Sequence, residues 1–262
     1  MKNNTSQEMN TRQIKQISID KHELLILLPH AYTAETGTAP NGTRPDATDP
    51  GGRYPIIYVM DGDVLKDVIM SFTTQVNIDA IIVGIVPVNR MSEYTPWQAT
   101  ALSSRFSDFG GEGDAFLCFL EEKLIPYMCE NYNATLLQQR TMLLGYSLGG
   151  LMGIYSLFRL ESFGAVASVS GSFWYPDWTG FVTENAVRNK TAHILISSGT
   201  DEGRGAKDIK RNAAEATVQT YDALCGQYPE GNVKLEWNNY SHHKQIALKV
   251  HTALLWLCEK CK

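Results

Sequence analysis

Short apolar runs separated by polar turns recur along the chain, and most are continuous rather than alternating. "YPIIYVM" (54–60), "AIIVGIV" (80–86), "RTMLLGY" (140–146), "AVASVSG" (165–171) and "AHILISSG" (192–199) read as strands buried on both faces, with "NVKLEWNNY" (232–240) as a sixth. Ahead of them, "RQIKQISI" (12–19) and "HELLILLP" (22–29) read as two strands joined by a tight turn at Asp20-Lys21. Between the buried runs the apolar spacing becomes helical. Phe116, Phe119, Leu120, Leu124 and Met128 share one face of a helix expected over 112–132, where Pro126 should kink or end it. Further helices are expected over 206–225 and 244–257. Strands alternating with helices predict an α/β protein with a mostly parallel central sheet and helices on both faces.

The rest of the pattern sets the domain organisation. Residues 1–11 are polar and expected to be disordered, and 33–53, rich in Gly, Pro, Thr and Asp without apolar period, is expected to be a long surface loop. Too little chain precedes that loop for a separate domain, so 1–262 is expected to fold as one. The composition is 44% hydrophobic and 19% charged, with a net charge of −5. A weakly acidic chain without a basic run argues against nucleic acid as a partner. The apolar run "AIIVGIVPV" falls short of the roughly 18 residues that a membrane span needs. The polar start has no signal-like apolar segment, and the 5 cysteines are odd in number and scattered. Both features give a cytoplasmic expectation. Cys258 and Cys261 form a lone C-x-x-C without a second pair, and no metal-ligand set is seen, so no cofactor is expected. The oligomeric state is not legible.

Candidate chemistry centres on "LGYSLGG" (144–150), a Gly-x-Ser-x-Gly pattern. A buried strand precedes it and "SLGGLMGIYSLFRL", apolar on nearly all sides, follows as a helix. Ser147 therefore lies at a sharp strand-to-helix turn that exposes its Oγ, with Gly145 and Gly149 where side chains would collide with backbone. The Leu148 N–H, at the helix N-terminus, is placed to face a developing oxyanion.

A serine hydroxyl needs a base, and the base needs an acid, in the chain order Ser, acid, His. His242 and His243, in "NYSHHKQ" between the last strand and the last helix, are the candidate bases. His242 is favoured because His243 reads as the first helical residue. The acid should leave the preceding strand in "TDEG", where Asp201 and Glu202 are both eligible. Trp174, Tyr175 and Trp178 in "GSFWYPDW" either wall an acyl pocket or pack a loop onto the core.

From about Leu25 to Leu257 the chain resembles the putative-esterase family of α/β-hydrolases, in the branch of enterochelin and related siderophore esterases. The motifs that carry this are "YPIIYVMDGD", "IIVGIVPVNRMSEYTPW", "DAFLCFLEEKLIPYMCENYN", the stretch 140–175 and a late His loop before "ALLWL". The resemblance implies the α/β-hydrolase fold and ranks Glu202 above Asp201, because the family often carries Gly-x-x-Glu or Gly-x-x-Asp there and Gly199 has that spacing to Glu202. Some siderophore esterases work with a Ser-His dyad. The resemblance also implies a second oxyanion amide at Asp61 or Gly62, a substrate-facing Arg90, and Trp174 beside the cleft. The 33–53 loop is longer than the family's usual connection, and the N-terminal domain of full enterochelin esterases is absent from this sequence.

The expected function is hydrolysis of a small-molecule carboxylic ester through an acyl-enzyme, on a siderophore-type or aryl ester. An acyltransferase or thioesterase would use the same fold. A non-catalytic binding scaffold is the alternative of another class, and folding alone gives no reason for Ser, His and acid to coincide.

Overall fold

β-Branched and aliphatic residues in runs of five or six build the sheet that organises the computed structural model, which describes residues 13–30, 32, 52–104 and 106–260. The strands are β1 (Ile14–Ile19), β2 (His22–Leu27), β3 (Ile56–Met60), β4 (Ile81–Ile85), the short β5 (Gln98–Ala99) and β6 (Phe109–Gly110), β7 (Thr141–Tyr146), β8 (Ala165–Val169), β9 (His193–Gly199) and β10 (Val233–Asn238). The helices are α1 (Lys66–Gln75), α2 (Arg90–Glu93), α3 (Gly113–Phe119), α4 (Ile125–Tyr132), α5 (Leu148–Ser156), α6 (Trp178–Glu184), α7 (Ala213–Cys225) and α8 (Ile246–Lys260).

Eight strands form one sheet in the order β1-β2-β4-β3-β7-β8-β9-β10. Six of them, from β4 to β10 in that order, are parallel, while β1 and β2 add an antiparallel hairpin at one edge. This is the mostly parallel α/β-hydrolase architecture expected, and the turn between β1 and β2 falls at Asp20, whose φ is +51°. The β5–β6 pair stands apart as a two-stranded ribbon.

Period-two alternation within buried strands explains the two cores. In β3, Ile56, Tyr58 and Met60 face a layer shared with Phe116, Leu151 and Trp178. Ile57 and Val59 face the opposite layer, shared with Ile69 and Phe72 of α1 and Val250, Leu254 and Leu257 of α8. Both faces are thus covered, which is why these strands read as unbroken apolar runs.

After β3 the chain moves outward to β4 and later returns to β7 on the other side of β3. The carboxyl ends of β3 and β7 therefore flank the place where strand order reverses, the position at which open α/β sheets build ligand crevices.

Several helix boundaries differ from expectation, and the helix expected over 147–160 ends as α5 at Ser156. The helix over 112–132 does not end at Pro126; a five-residue π-helical segment, Leu120–Leu124, precedes α4 and widens the turn ahead of the ring. The helix expected from 206 starts as α7 at Ala213, because Gly203 and Gly205 hold φ of +73° and +77°, and Asp208 then caps a short 3₁₀ turn, Ile209–Asn212. The helix expected from 244 starts at Ile246, because Gln245 has φ +51°, which no helical residue can hold. The expectations for 1–11 and nearly all of 33–53 lie outside the described residues, as does Cys261.

Candidate active site

β7 runs straight into α5, and the residue between them bears the cost of the turn. Ser147 has φ 59° and ψ −118°, a conformation that L-residues avoid and that persists only where its surroundings impose it. Glycines make the turn possible. A Cβ on Gly145 would lie 2.1 Å from the Gly149 carbonyl oxygen, and one on Gly150 would lie 2.7 Å from Ser168 Oγ, whereas the expectation for Gly149 is corrected, since a Cβ there would meet first the Met60 side chain at 3.3 Å and not backbone. Ser147 is tied in place by its own backbone: its N–H donates to Val169 O at 3.0 Å, and its carbonyl accepts from Ser172 N and from Leu151 N.

The loop after β10 brings His242 over this turn. Its Nε2 lies 3.0 Å from Ser147 Oγ and its Nδ1 lies 2.9 Å from Glu202 Oε2. Glu202 leaves the end of β9 and is buried at 6% exposure. Burial pushes its carboxyl pKa up, but the His242 hydrogen bond and charge, helped by Ser170 and Lys249, outweigh this and leave it below the ordinary glutamate value. An ionised Glu202 can only accept at Nδ1, so Nδ1 carries the proton and Nε2 presents a lone pair to the serine hydroxyl.

Of the two eligible carboxylates, the structure brings only Glu202 to the imidazole. Asp201 accepts instead from Arg204 at 2.9 Å near the surface. His243 stands edge-on to His242, with ring centroids 4.7 Å apart, and bonds neither Ser147 nor Glu202 among the described residues. His243 is not the first helical residue as expected, since α8 begins three residues beyond it and both histidines lie in the loop.

The amides implied for the oxyanion separate in the structure. Leu148, the first residue of α5, has no backbone acceptor among the described residues, so its N–H stays available at the helix N-terminus. Gly62 is corrected: its N–H donates to Ile85 O at 2.7 Å, and it lines a different groove, beside Leu24 and Lys66. A Cβ there would lie 2.4 Å from the Gly84 carbonyl carbon, so the glycine permits β3 and β4 to approach and has no visible bearing on the serine. Asp61, with φ +59°, donates its N–H to Tyr94 Oη at 3.2 Å.

Arg90 opens α2, where Asn89 Oδ1 caps the turn by accepting from Ser92 N. Its guanidinium forms a fork with Asp61, Nε to Oδ1 at 2.6 Å and Nη2 to Oδ2 at 2.8 Å, and Nη2 also reaches Tyr146 O at 3.2 Å. Burial raises the Asp61 carboxyl pKa while Arg90 pulls it back, and burial works against the Arg90 charge but the bonds and charge of Asp61 outweigh it and leave its pKa raised.

Ser147, Leu148, His242, His243, Glu202, Arg90 and Trp174 all line one cavity of about 570 Å³. Phe106 and Phe109 add aromatic wall, and Arg204 and Lys210 add cations. Phe106, 65% exposed, forms part of the lip. Of the aromatic trio in 171–178, only Trp174 faces this cavity. Tyr175 and Trp178 are buried and packed, Tyr175 Oη donating to Trp97 O and Trp178 Nε1 to Thr220 Oγ1. Sequence reasoning passed over Lys249 and Ser172. Ser172 Oγ lies 3.3 Å from Ser147 Oγ. A lysine within the buried stripe Lys249, Val250, Ala253, Leu254, Leu257 of α8 was the signal for Lys249.

A family model described as Putative esterase matches residues 40–224. The chain belongs to this family. It is 34% identical over 221 residues to the uncharacterized protein YbbA of Bacillus subtilis strain 168, covering 81% of this chain and 88% of that one. Among solved structures, the siderophore hydrolase EstA from Aspergillus nidulans superposes with a TM-score of 0.67 at 16% identity, over 100% of this chain and 99% of that one. The enterobactin hydrolase IroE in complex with DFP superposes with a TM-score of 0.66 at 21% identity, over 94% and 95% of the two chains. At such identities the structural likeness establishes the shared fold. No helix among the described residues is long and apolar enough to cross a membrane.

Proposed function

We propose that the protein is a serine carboxylic-ester hydrolase that works through an acyl-enzyme. The observation that carries this reading is the hydrogen-bonded chain Ser147–His242–Glu202, at 3.0 and 2.9 Å, opening into the 570 Å³ cavity. In the first half-reaction Ser147 Oγ attacks the ester carbonyl carbon as His242 Nε2 takes its proton. Glu202 holds the imidazole in the required tautomer and stabilises the imidazolium. The Leu148 N–H donates to the oxyanion. His242 then protonates the leaving alkoxide oxygen, and the acyl group stays on Ser147. A water then attacks the acyl carbon as His242 takes its proton, and His242 returns that proton to Ser147 Oγ as the acid leaves. This sequence uses only side chains, backbone and a water, so it needs no cofactor. The Asp61 amide serves the oxyanion only if it releases Tyr94 Oη.

For the substrate, the cavity supports an ester with an aromatic portion. Phe106, Phe109 and Trp174 offer apolar wall, and the Asp61-locked Arg90 offers a fixed cation for a polar oxygen. A siderophore-type or other aryl ester fits this chemistry, and EstA and IroE, named for siderophore and enterobactin hydrolysis, share the fold. The test is a panel of catecholate trilactone, feruloyl and short p-nitrophenyl esters, with Ser147→Ala as control and with added alcohols to detect acyl transfer. Hydrolysis that Ser147→Ala abolishes supports the reading. Activity in the Ala variant within tenfold of wild type ends it.

A further inference from the structure

A lysine lies buried directly beneath the His242 turn. Lys249, on the first turn of α8, has a side chain only 2% exposed. An ammonium in such a place is costly unless its donors are matched. Here Nζ donates to His242 O at 2.8 Å and Ser170 Oγ at 2.9 Å, and it lies 3.4 Å from Ser241 O. The nearest carboxylate is the Glu202 side chain, at 3.9 Å, which is too long for a direct hydrogen bond. The lysine therefore spends its bonds on backbone and hydroxyl oxygens of the site rather than on a salt bridge.

These contacts join segments that nothing local would hold in register. Ser170 follows β8, and its N–H donates to Ser197 O on β9. Ser172, two residues on, donates its N–H to the Ser147 carbonyl. His242 lies in the loop after β10, whose residue Gln245 has a left-handed φ of +51°. Tyr146, the last residue of β7, donates its hydroxyl to the same His242 carbonyl at 2.8 Å. That carbonyl thus takes two donors, one from the strand that leads to Ser147 and one from α8. We propose that Lys249 is a positioning residue of the reaction, an ammonium that clamps the His242 backbone to the Ser147 and Glu202 segments so that the imidazole stays in line between them. The proposal rests on the esterase reading. Burial draws the lysine's pKa down and Glu202 partly restores it.

A clamp and a mere core lysine differ in what they move. Loss of a core lysine lowers stability and leaves turnover per folded site unchanged. Loss of a clamp lets the imidazole drift, and misplacement of about 1 Å costs on the order of 100-fold in rate. Lys249→Met keeps the apolar stem and removes the donors. We expect its kcat on p-nitrophenyl acetate, per site titrated with a fluorophosphonate, to fall about 10- to 100-fold while KM stays within about threefold. Lys249→Arg, which keeps donors and charge with a different head, should recover part of the loss. Turnover per titrated site within about threefold of wild type in folded Lys249→Met overturns the proposal. If Lys249→Met does not fold, Lys249→Gln is read the same way, and failure of both to fold assigns the lysine to stability and also overturns it. Wild type and Ser147→Ala run beside them separate the two claims: absence of Ser147-dependent turnover in wild type sinks the esterase reading itself, whereas normal wild-type turnover with an unaffected Lys249→Met sinks only the clamp.

Discussion

Replacing Glu202 by Gln should damage the enzyme more than loss of one charge suggests, because the structure dictates which way the amide must point. Glu202 Oε1 accepts from Gly199 N at 3.3 Å and lies 3.9 Å from the Lys249 ammonium, so this site demands an acceptor. A glutamine will therefore put its carbonyl oxygen there. Its NH₂ then occupies the Oε2 position, 2.9 Å from His242 Nδ1, and can only donate. Nδ1 must then accept, the ring proton moves to Nε2, and Nε2 faces Ser147 Oγ without a lone pair. The base is lost although every heavy atom remains in place. An amide in place of the triad acid of a serine protease costs roughly 10⁴ in kcat by this route, about 5.5 kcal/mol of transition-state stabilisation. We expect a loss of about 10³- to 10⁴-fold in kcat on p-nitrophenyl acetate, with KM little changed. Asp201→Asn, which loosens only the bond to Arg204, should stay within about twofold. Steady-state kinetics with active-site titration measures both. A Glu202→Gln enzyme that keeps more than one-tenth of wild-type kcat would refute the reasoning and indicate a Ser147–His242 dyad.

Three further outcomes follow from the same geometry. Gly145→Ala drives a Cβ to 2.1 Å from the Gly149 carbonyl oxygen, where neither backbone can yield cheaply, so stability should fall by about 3 kcal/mol and Tm by roughly 6–12 °C; an unchanged Tm in thermal melts would contradict the close strand–helix approach. Arg90→Ala leaves the buried Asp61 carboxylate unpaired and should lower Tm; beyond that, it should lower kcat/KM for a large polar ester about 10- to 150-fold more than for p-nitrophenyl acetate, and equal losses on both would make Arg90 purely structural. Glu202 has a folded pKa below its ordinary 4.5, so its ionised form contributes stability that is complete above that value and is lost as pH falls through the folded pKa. The Tm advantage of wild type over Glu202→Gln should hold at pH 7 and shrink steadily below pH 4.5, and an advantage that grows on acidification would reverse the sign of this linkage.

The sheet was legible because its strands are covered on both faces, so Ile56, Ile57, Tyr58, Val59 and Met60 are all apolar whichever layer they meet. The Ser147 turn was legible because a Gly-x-Ser-x-Gly between buried strand and apolar helix has few other uses. What escaped was decided by distant neighbours or by single backbone angles. The Gly62 amide is taken by Ile85, a pairing with β4 that the local "MDGD" stretch does not reveal. The start of α8 is fixed by φ at Gln245, a residue with no special preference for that conformation. Choosing Glu202 over Asp201 from the residues alone was not possible, since both leave β9 together and only the turn that sends one inward separates them. Lys249 was passed over because a lysine on a surface helix usually faces water, and its partners come from β8 and the loop after β10.

The most direct test of the central claim is covalent trapping of the nucleophile by a reagent whose phosphonyl group stands in for the acyl group. Wild-type protein, incubated with a fluorophosphonate and analysed by intact mass and peptide sequencing, should gain one adduct, on the peptide holding Ser147. The gain should be abolished in Ser147→Ala and strongly slowed in His242→Ala. Labelling that persists in Ser147→Ala, or a wild type that hydrolyses esters yet never takes the adduct, would contradict the account.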